Sequence, residues 1–209
     1  LRAVTLRVEG RTILDDVSVC LAARRTAVIG ANGSGKSSFA RLLNGLHIAT
    51  AGTVRVGGLD PAHDVREVRR RVGFVFADPE AQILMPTPAE DLALSLRGTT
   101  KAERDARVDA ALALCGLGGL RDTPASELSG GQKQLLALAS VLIGRPRLVV
   151  ADEPTTRLDL RNSRRIGDAL LEELEVPLVL VTHDLGLARR CDEAVLIDDG
   201  RVRAQGAPD

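Results

Sequence analysis

Tryptophan and tyrosine are absent from this 209-residue chain, and phenylalanine occurs only as Phe39, Phe74 and Phe76. Recognition that stacks bases on several aromatic platforms is therefore disfavoured, single-stranded nucleic-acid binding first among such functions. An excess of either charge is missing too, since 28 lysines and arginines meet 28 aspartates and glutamates. Proteins held to nucleic acid by bulk electrostatics are usually basic, so no nucleic-acid partner is expected. Cysteine is scarce, odd in number and widely spaced, at Cys20, Cys115 and Cys191. No disulfide framework or zinc ribbon has that spacing, and reduced thiols in a cytosolic protein are expected. No stretch reaches the ~18 apolar residues of a membrane span. The longest apolar run, Leu135 to Ile143, is broken by Ser140 and has the length of a core helix. A signal peptide's basic and apolar regions are absent from the N-terminus, and the missing initiator Met points to a trimmed chain or to numbering that starts late.

What is present alternates. Strand-like segments fall at Ala3–Val8, Leu14–Val19, Thr26–Gly30, Thr53–Val56, Val72–Phe76, Leu148–Asp152, Leu178–Thr182 and Ala194–Asp198. Three of them are short continuous apolar runs, which fit central strands of a parallel sheet buried on both faces. Helical segments fall at Lys36–Asn44, Lys101–Cys115, Gly131–Ile143, Arg161–Leu174 and Leu185–Arg190. Alternation of this kind predicts an α/β fold. Residues 77–145 hold helices and loops without a buried strand, punctuated by Pro79, Pro86, Pro88 and Pro124. They read as a helical insertion, with residues 1–76 and 146–209 forming the sheet core.

Four motifs carry chemistry. In the first, Gly30-Ala31-Asn32-Gly33-Ser34-Gly35-Lys36-Ser37 follows an apolar strand and opens a helix, the context a phosphate loop needs. Glycines let successive N–H groups curl around a phosphate, and the helix N-terminus aims its positive end at the same anion. Lys36 then reaches the outer phosphates, Ser37 offers its hydroxyl to Mg²⁺, and Ser38 continues the loop. In the second, an apolar strand ends in Asp152-Glu153, where Asp152 is expected to orient Mg²⁺ and Glu153 to polarise an attacking water. The third is Leu128-Ser129-Gly130-Gly131-Gln132, in which Ser129 reads as an N-cap and Gly130 and Gly131 expose further N–H groups. One chain rarely needs two phosphate cradles for one site, so two subunits facing each other are expected, each lending its cradle to the other's nucleotide. In the fourth, Thr182-His183-Asp184 puts His183 at the C-terminal end of a strand, where open α/β sheets bind ligands.

Together these residues resemble the nucleotide-binding subunit of an ABC transporter, over nearly the whole chain. The resemblance implies a P-loop NTPase fold of the ABC type: a mainly parallel core sheet, an antiparallel β subdomain and a helical subdomain. It implies a head-to-tail dimer, homomeric or heteromeric, with two Mg-ATP between the copies. Ser129, Gly130, Gly131 and Gln132 then meet the opposing copy's γ-phosphate. Asp159 lies in the loop that crosses the seam, and His183 matches a histidine that contacts the γ-phosphate. Lys36, Glu153 and His183 become the catalytic set; Gly30, Asn32, Gly33, Ser34, Gly35, Lys36, Ser37 and Ser38 hold the nucleotide; Ser37 and Asp152 serve the metal. A narrower similarity, over Leu42–Leu46 and Val72–Asp91, is to the ATPases of energy-coupling-factor importers for vitamins and transition-metal ions. It implies integral membrane subunits as partners and a position on the cytoplasmic face of the membrane. Biotin systems are the first expectation, and cobalt or nickel systems the second. A separate membrane subunit chooses the substrate, so no residue of this chain is expected to touch it. The chain stops soon after a strand pair ending near Ala204, which suits compact members without an extra C-terminal domain.

Three positions depart from the family pattern. A metal-ligating glutamine usually follows the strand Val72–Phe76, and here Ala77 stands in its place, with Gln82 five residues on. An aromatic residue usually stacks on adenine from the first strand, and the matching position is Val8. The seam loop usually has a small residue where this chain has Arg157. Two other classes remain as competitors. A soluble ABC ATPase of cofactor assembly or DNA repair is one; repair ATPases carry long insertions, and only 92 residues lie between Lys36 and Ser129. A non-hydrolysing nucleotide-binding module is the other, favoured by Ala77 and Val8 and opposed by Lys36, Asp152, Glu153, Ser129 and His183. Motion is expected to reach the membrane partners through residues 77–92, whose Ile83-Leu84-Met85-Pro86 segment either docks a partner or packs within the insertion.

Overall fold

A computed structural model describes residues 1–96, 98–156 and 158–208. Its larger sheet contains β3 (Arg25–Ile29), β5 (Val72–Val75), β6 (Leu148–Asp152), β7 (Leu178–Val181), β8 (Glu193–Asp198) and β9 (Arg201–Gly206). They lie in the order β5-β6-β7-β3-β8-β9, with β9 antiparallel to β8 and every other pair parallel. A smaller antiparallel sheet has the order β2-β1-β4, from β1 (Arg2–Val8), β2 (Arg11–Val17) and β4 (Ala51–Thr53).

Side chains alternate across a strand, so the continuous apolar runs feed two cores. Val149 and Ala151 of β6 and Leu178 and Leu180 of β7 enter one core. Val150, Val179 and Val181 enter the other, with Phe39 and Leu42 of helix α1 (Lys36–Leu43) and Val4, Leu6 and Leu14 of the small sheet. The first core is covered by α4 (Lys101–Leu114), α5 (Gly130–Leu142) and α6 (Leu160–Asp168), which contribute Val108, Leu112, Leu135, Leu138 and Ile166. Phe39 is fully buried, and truncating such a ring to alanine costs about 3–5 kcal/mol. Between β5 and β6 the described residues form helices and loops and no strand, as the sequence implied.

The structure corrects several local expectations. The strand expected at Thr53–Val56 lies earlier, at Ala51–Thr53, and Val56 forms only an isolated bridge with Leu59 across Gly57 and Gly58. Two short helices escaped the periodicity, α2 (Val65–Arg71) and α3 (Pro88–Leu94). In α2 only Val68 is buried, so its charged sequence reads as a loop. The helix expected over Arg161–Leu174 is α-helical to Asp168 and then widens to a π-turn over Ala169–Glu173. The guanidinium of Arg25, a residue 5% exposed, closes on the end of this turn. It donates to the carbonyls of Leu171 within the turn and of Leu174 and Val176 beyond it. The last helix, α7 (Leu185–Ala188), is one turn long. Among the described residues no helix is long and apolar enough to cross a membrane.

Candidate functional site

The site forms at the C-terminal ends of β3, β6 and β7. Chain direction in a parallel sheet puts the loops that follow these strands side by side. The loop after β3 turns through Gly30, Gly33 and Gly35, with φ of 149°, 80° and 103°, values that side-chain-bearing residues rarely adopt. At Gly30 a Cβ would lie 2.0 Å from the Ile197 carbonyl oxygen, so only glycine fits beside β8. Lys36 is 6% exposed and its Nζ donates to the carbonyls of Gly30 and Ala31 at 2.9 Å each. The Ser34 hydroxyl is buried inside the loop and has no hydrogen-bond partner. An orphaned hydroxyl, a buried ammonium and glycine-only curvature are what an anion such as a phosphate would complete.

Ser37 donates its hydroxyl to Asp152 Oδ1 at 2.8 Å. Asp152 is 3% exposed, and burial pushes its carboxyl above the ordinary range against the opposing pull of Ser37 and Arg41. Arg41 Nη2 stands 4.0 Å from Asp152 Oδ2. Two hard oxygen donors side by side, one a buried and weakly compensated carboxylate, fit Mg²⁺. The next residue, Glu153, has φ 52° and donates its N–H to Val181 O at 2.9 Å. That left-handed step, sparsely populated by non-glycine residues, carries its side chain from the strand into the cleft. There Glu153 Oε2 lies 2.7 Å from His183 Nδ1 and accepts from the Thr156 hydroxyl at 3.2 Å. His183 is presented by β7 through Thr182, whose N–H donates to Val28 O.

A cleft of about 480 Å³ gathers Asn32, Gly33, Gly35, Lys36, Ser37, Ser38, Glu153 and His183. Gly30 and Ser34 shape the loop behind it, and Asp152 reaches it through Ser37. Ile13, Ala77 and Thr156 complete the lining. Ile13 and Thr156 escaped sequence reasoning: Ile13 is one apolar residue in a strand, and Thr156 acts only through Glu153. Val8 does not line the cleft; it packs on the core of the small sheet, and Ile13 is the apolar side chain at the loop. Gln82 is turned away, donating to Ala137 O at 3.1 Å. At Ala77 itself the cleft is lined by a methyl group.

The second cradle is built but stands apart. Ser129 caps α5 in a reciprocal box, accepting from Gln132 N at 3.3 Å and donating its N–H to Gln132 Oε1 at 2.8 Å. None of Ser129, Gly130, Gly131 and Gln132 lines the cleft. Asp159 caps α6, accepting from Asn162 N at 2.8 Å and Asn162 Nδ2 at 2.7 Å. The Asn162 carboxamide in turn fills the space beside Gly131. Arg157 lies outside the described residues.

A family model described as ABC transporter matches residues 14–156. A putative ABC transporter ATP-binding protein of Deinococcus radiodurans is 47% identical over 210 residues, covering 100% of this chain and 92% of its own length. The biotin transport ATP-binding protein BioM of Rhizobium etli is 42% identical, over 93% of this chain and 87% of its own. Among solved structures, the dimeric post-hydrolysis state of the ATP-binding cassette MJ0796, bound to ADP and Pi, superposes with a TM-score of 0.87 at 27% identity. That match covers 100% of this chain and 97% of the solved one.

Proposed function

The chain belongs to the ABC transporter family as an ATP-hydrolysing subunit of a transporter, and on that premise we propose that it powers import of biotin through an energy-coupling-factor importer. The likeness to BioM supports the substrate class. Integral membrane subunits are the proposed partners, with this chain peripheral on the cytoplasmic face. Within the helical insertion, residues 77–145, the segment 77–92 takes the docking role, and residues 1–76 and 146–209 form the nucleotide core. The 3₁₀ turn Pro79–Ala81 leads into Leu84, which is 74% exposed beside Pro86 and Pro124, and an apolar segment held outward suits a membrane subunit's loop.

The observation that carries the mechanism is the separation of two finished phosphate cradles in one chain. A capped helix at Ser129 that does not face its own cleft is available to the cleft of a second copy. In each site the phosphate loop and Lys36 hold the β- and γ-phosphates, and Ser37 and Asp152 hold the metal. Bound Mg²⁺ supplies positive charge against the phosphate oxygens. Glu153 takes the proton of the attacking water and is steadied by His183 and Thr156, and His183 also faces the γ-phosphate. Closure follows because the Ser129 cradle gains its anion only when two copies meet, and loss of the γ-phosphate removes that differential contact.

The test is recovery of this chain, tagged, from detergent-solubilised membranes of its source cell. Co-recovery of a scaffold membrane protein and a small biotin-binding membrane subunit is expected. Recovery of soluble partners alone, with ATPase activity intact, overturns the importer assignment.

A further inference from the structure

The end of β5 meets the phosphate cleft at Ala77. One residue earlier, both backbone groups of Phe76 are taken by glutamine side chains. Gln82 Oε1 accepts from Phe76 N at 3.3 Å. Gln134 Nε2, on a residue 1% exposed, donates to Phe76 O at 3.2 Å. Both glutamines also belong to α5: Gln134 by position, and Gln82 by donating to Ala137 O at 3.1 Å and Ser140 Oγ at 3.4 Å. The Ser140 hydroxyl donates onward to Ala137 O at 2.9 Å. The backbone N–H and C=O of Phe76, at the lip of the cleft, are thus each held by a glutamine, and two further bonds join Gln82 to the helix whose first turn is the Ser129 cradle. Gln82 also ends the 3₁₀ turn that leads into the Ile83–Pro86 segment, in which Ile83 packs on the core and Leu84 is exposed.

We propose that Gln82 and Gln134 are positioning residues that tie the location of α5 and its Ser129 cradle to the lip of the phosphate cleft through the backbone of Phe76. This rests on the two-copy reading of the site. Neither glutamine touches nucleotide. Their effect is on where the cradle stands when a second copy closes, so they govern turnover and leave binding to the chain's own phosphate loop unchanged. Because both backbone polar groups of Phe76 are held, the strand end and the helix move as one piece. A displacement of the Ile83–Pro86 segment is therefore delivered to both at once. Ala77 adds no polar side-chain tether of its own on that side of the cleft, and the ion pair of Glu80 with Lys133 is a further tie between the 3₁₀ turn and α5, at a more exposed position than the buried Gln134.

The experiment compares Gln82→Met, which keeps volume and removes all three bonds, with Gln82→Glu, which keeps the acceptor for Phe76 N–H. Steady-state ATP hydrolysis is expected to fall about tenfold in kcat for Gln82→Met, with KM for ATP within about twofold of wild type. Gln82→Glu is expected between the two. Amide hydrogen exchange, in a Glu153→Gln background so that ATP persists, separates positioning from general weakening. ATP protects peptides spanning 30–43 in every variant, and protection of peptides spanning 128–140 is lost in Gln82→Met. Should Gln82→Met fail to fold, Gln134→Met opens the same joint at Phe76 O and is held to the same expectation. Equal ATP-induced protection of 128–140 in wild type and variant, with unchanged kcat, overturns the inference alone. Absence of that protection in the parent protein overturns the two-copy reading and this inference with it.

Discussion

Replacing Gly131 by alanine puts a methyl group where the Asn162 carboxamide now lies. A Cβ there would stand 2.4 Å from Asn162 Cγ, 2.6 Å from Oδ1 and 2.7 Å from Nδ2. The carboxamide must leave, and with it goes the 2.7 Å bond from Nδ2 to Asp159 Oδ2. Loss of that bond costs about 1 kcal/mol, and residual crowding about 1 kcal/mol more. Alanine offsets up to about 1 kcal/mol by its higher helix propensity in the first turn of α5. Gly131→Ala should therefore destabilise the chain by about 1 kcal/mol, a loss of about 2–4 °C in Tm at this length. In an Asn162→Ala background the obstacle is gone and only the propensity term remains. The same substitution should then stabilise by up to about 1 kcal/mol. The sign reverses because the two residues share a contact, and contacting residues couple. Urea unfolding of the four proteins without nucleotide measures the cycle. The same sign in both backgrounds would refute the packing argument.

Further expectations follow from other residues. Burial raises the Asp152 carboxyl, so its ionised form is disfavoured in the fold and the cost is present above the raised pKa. Mg²⁺ must then compete with a proton at higher pH than at an ordinary carboxylate, and the half-saturating Mg²⁺ for hydrolysis should climb as pH falls through that raised pKa. A value that stays flat until the ordinary carboxylate range counts against the account. Among the thiols, Cys20 is exposed, whereas burial pushes Cys115 and Cys191 up to about 11. A thiol reagent at neutral pH should consume one equivalent quickly and two slowly; three equal rates would contradict this burial pattern. Gly30→Ala, facing the Ile197 carbonyl at 2.0 Å, should cost at least about 3 kcal/mol in chemical denaturation, and a loss under about 1 kcal/mol would show that the loop yields easily.

Much of the site was legible because its chemistry needs particular residue types at fixed spacing. The glycines at 30, 33 and 35 announce backbone curvature, and the apolar run before Asp152-Glu153 announces a strand end. Ser129 announces a cap, and the structure forms it as a reciprocal box with Gln132, which the sequence reading did not include. Contacts made by backbone geometry or by single side chains over long distances were not legible. The positive φ that swings Glu153 toward His183 leaves no mark on composition. The π-turn at Ala169–Glu173 is met by Arg25, about 145 residues earlier in the chain, through the Leu171 carbonyl. Helix α2 hid behind its charges because Val68 alone faces the core. Gln82 is one polar residue among loop residues until α5 is placed beside it.

The central claim is that hydrolysis needs two copies, each supplying its Ser129 cradle to the other's Lys36 and Glu153. Mass measurement by sedimentation with saturating Mg-ATP tests it, on Glu153→Gln and on Glu153→Gln combined with Ser129→Glu. Glu153→Gln should bind ATP, fail to turn it over and double in mass. The double variant should bind ATP equally well and remain a monomer. Turnover by Glu153→Gln at the parent rate, or a dimer that forms regardless of Ser129, would contradict it.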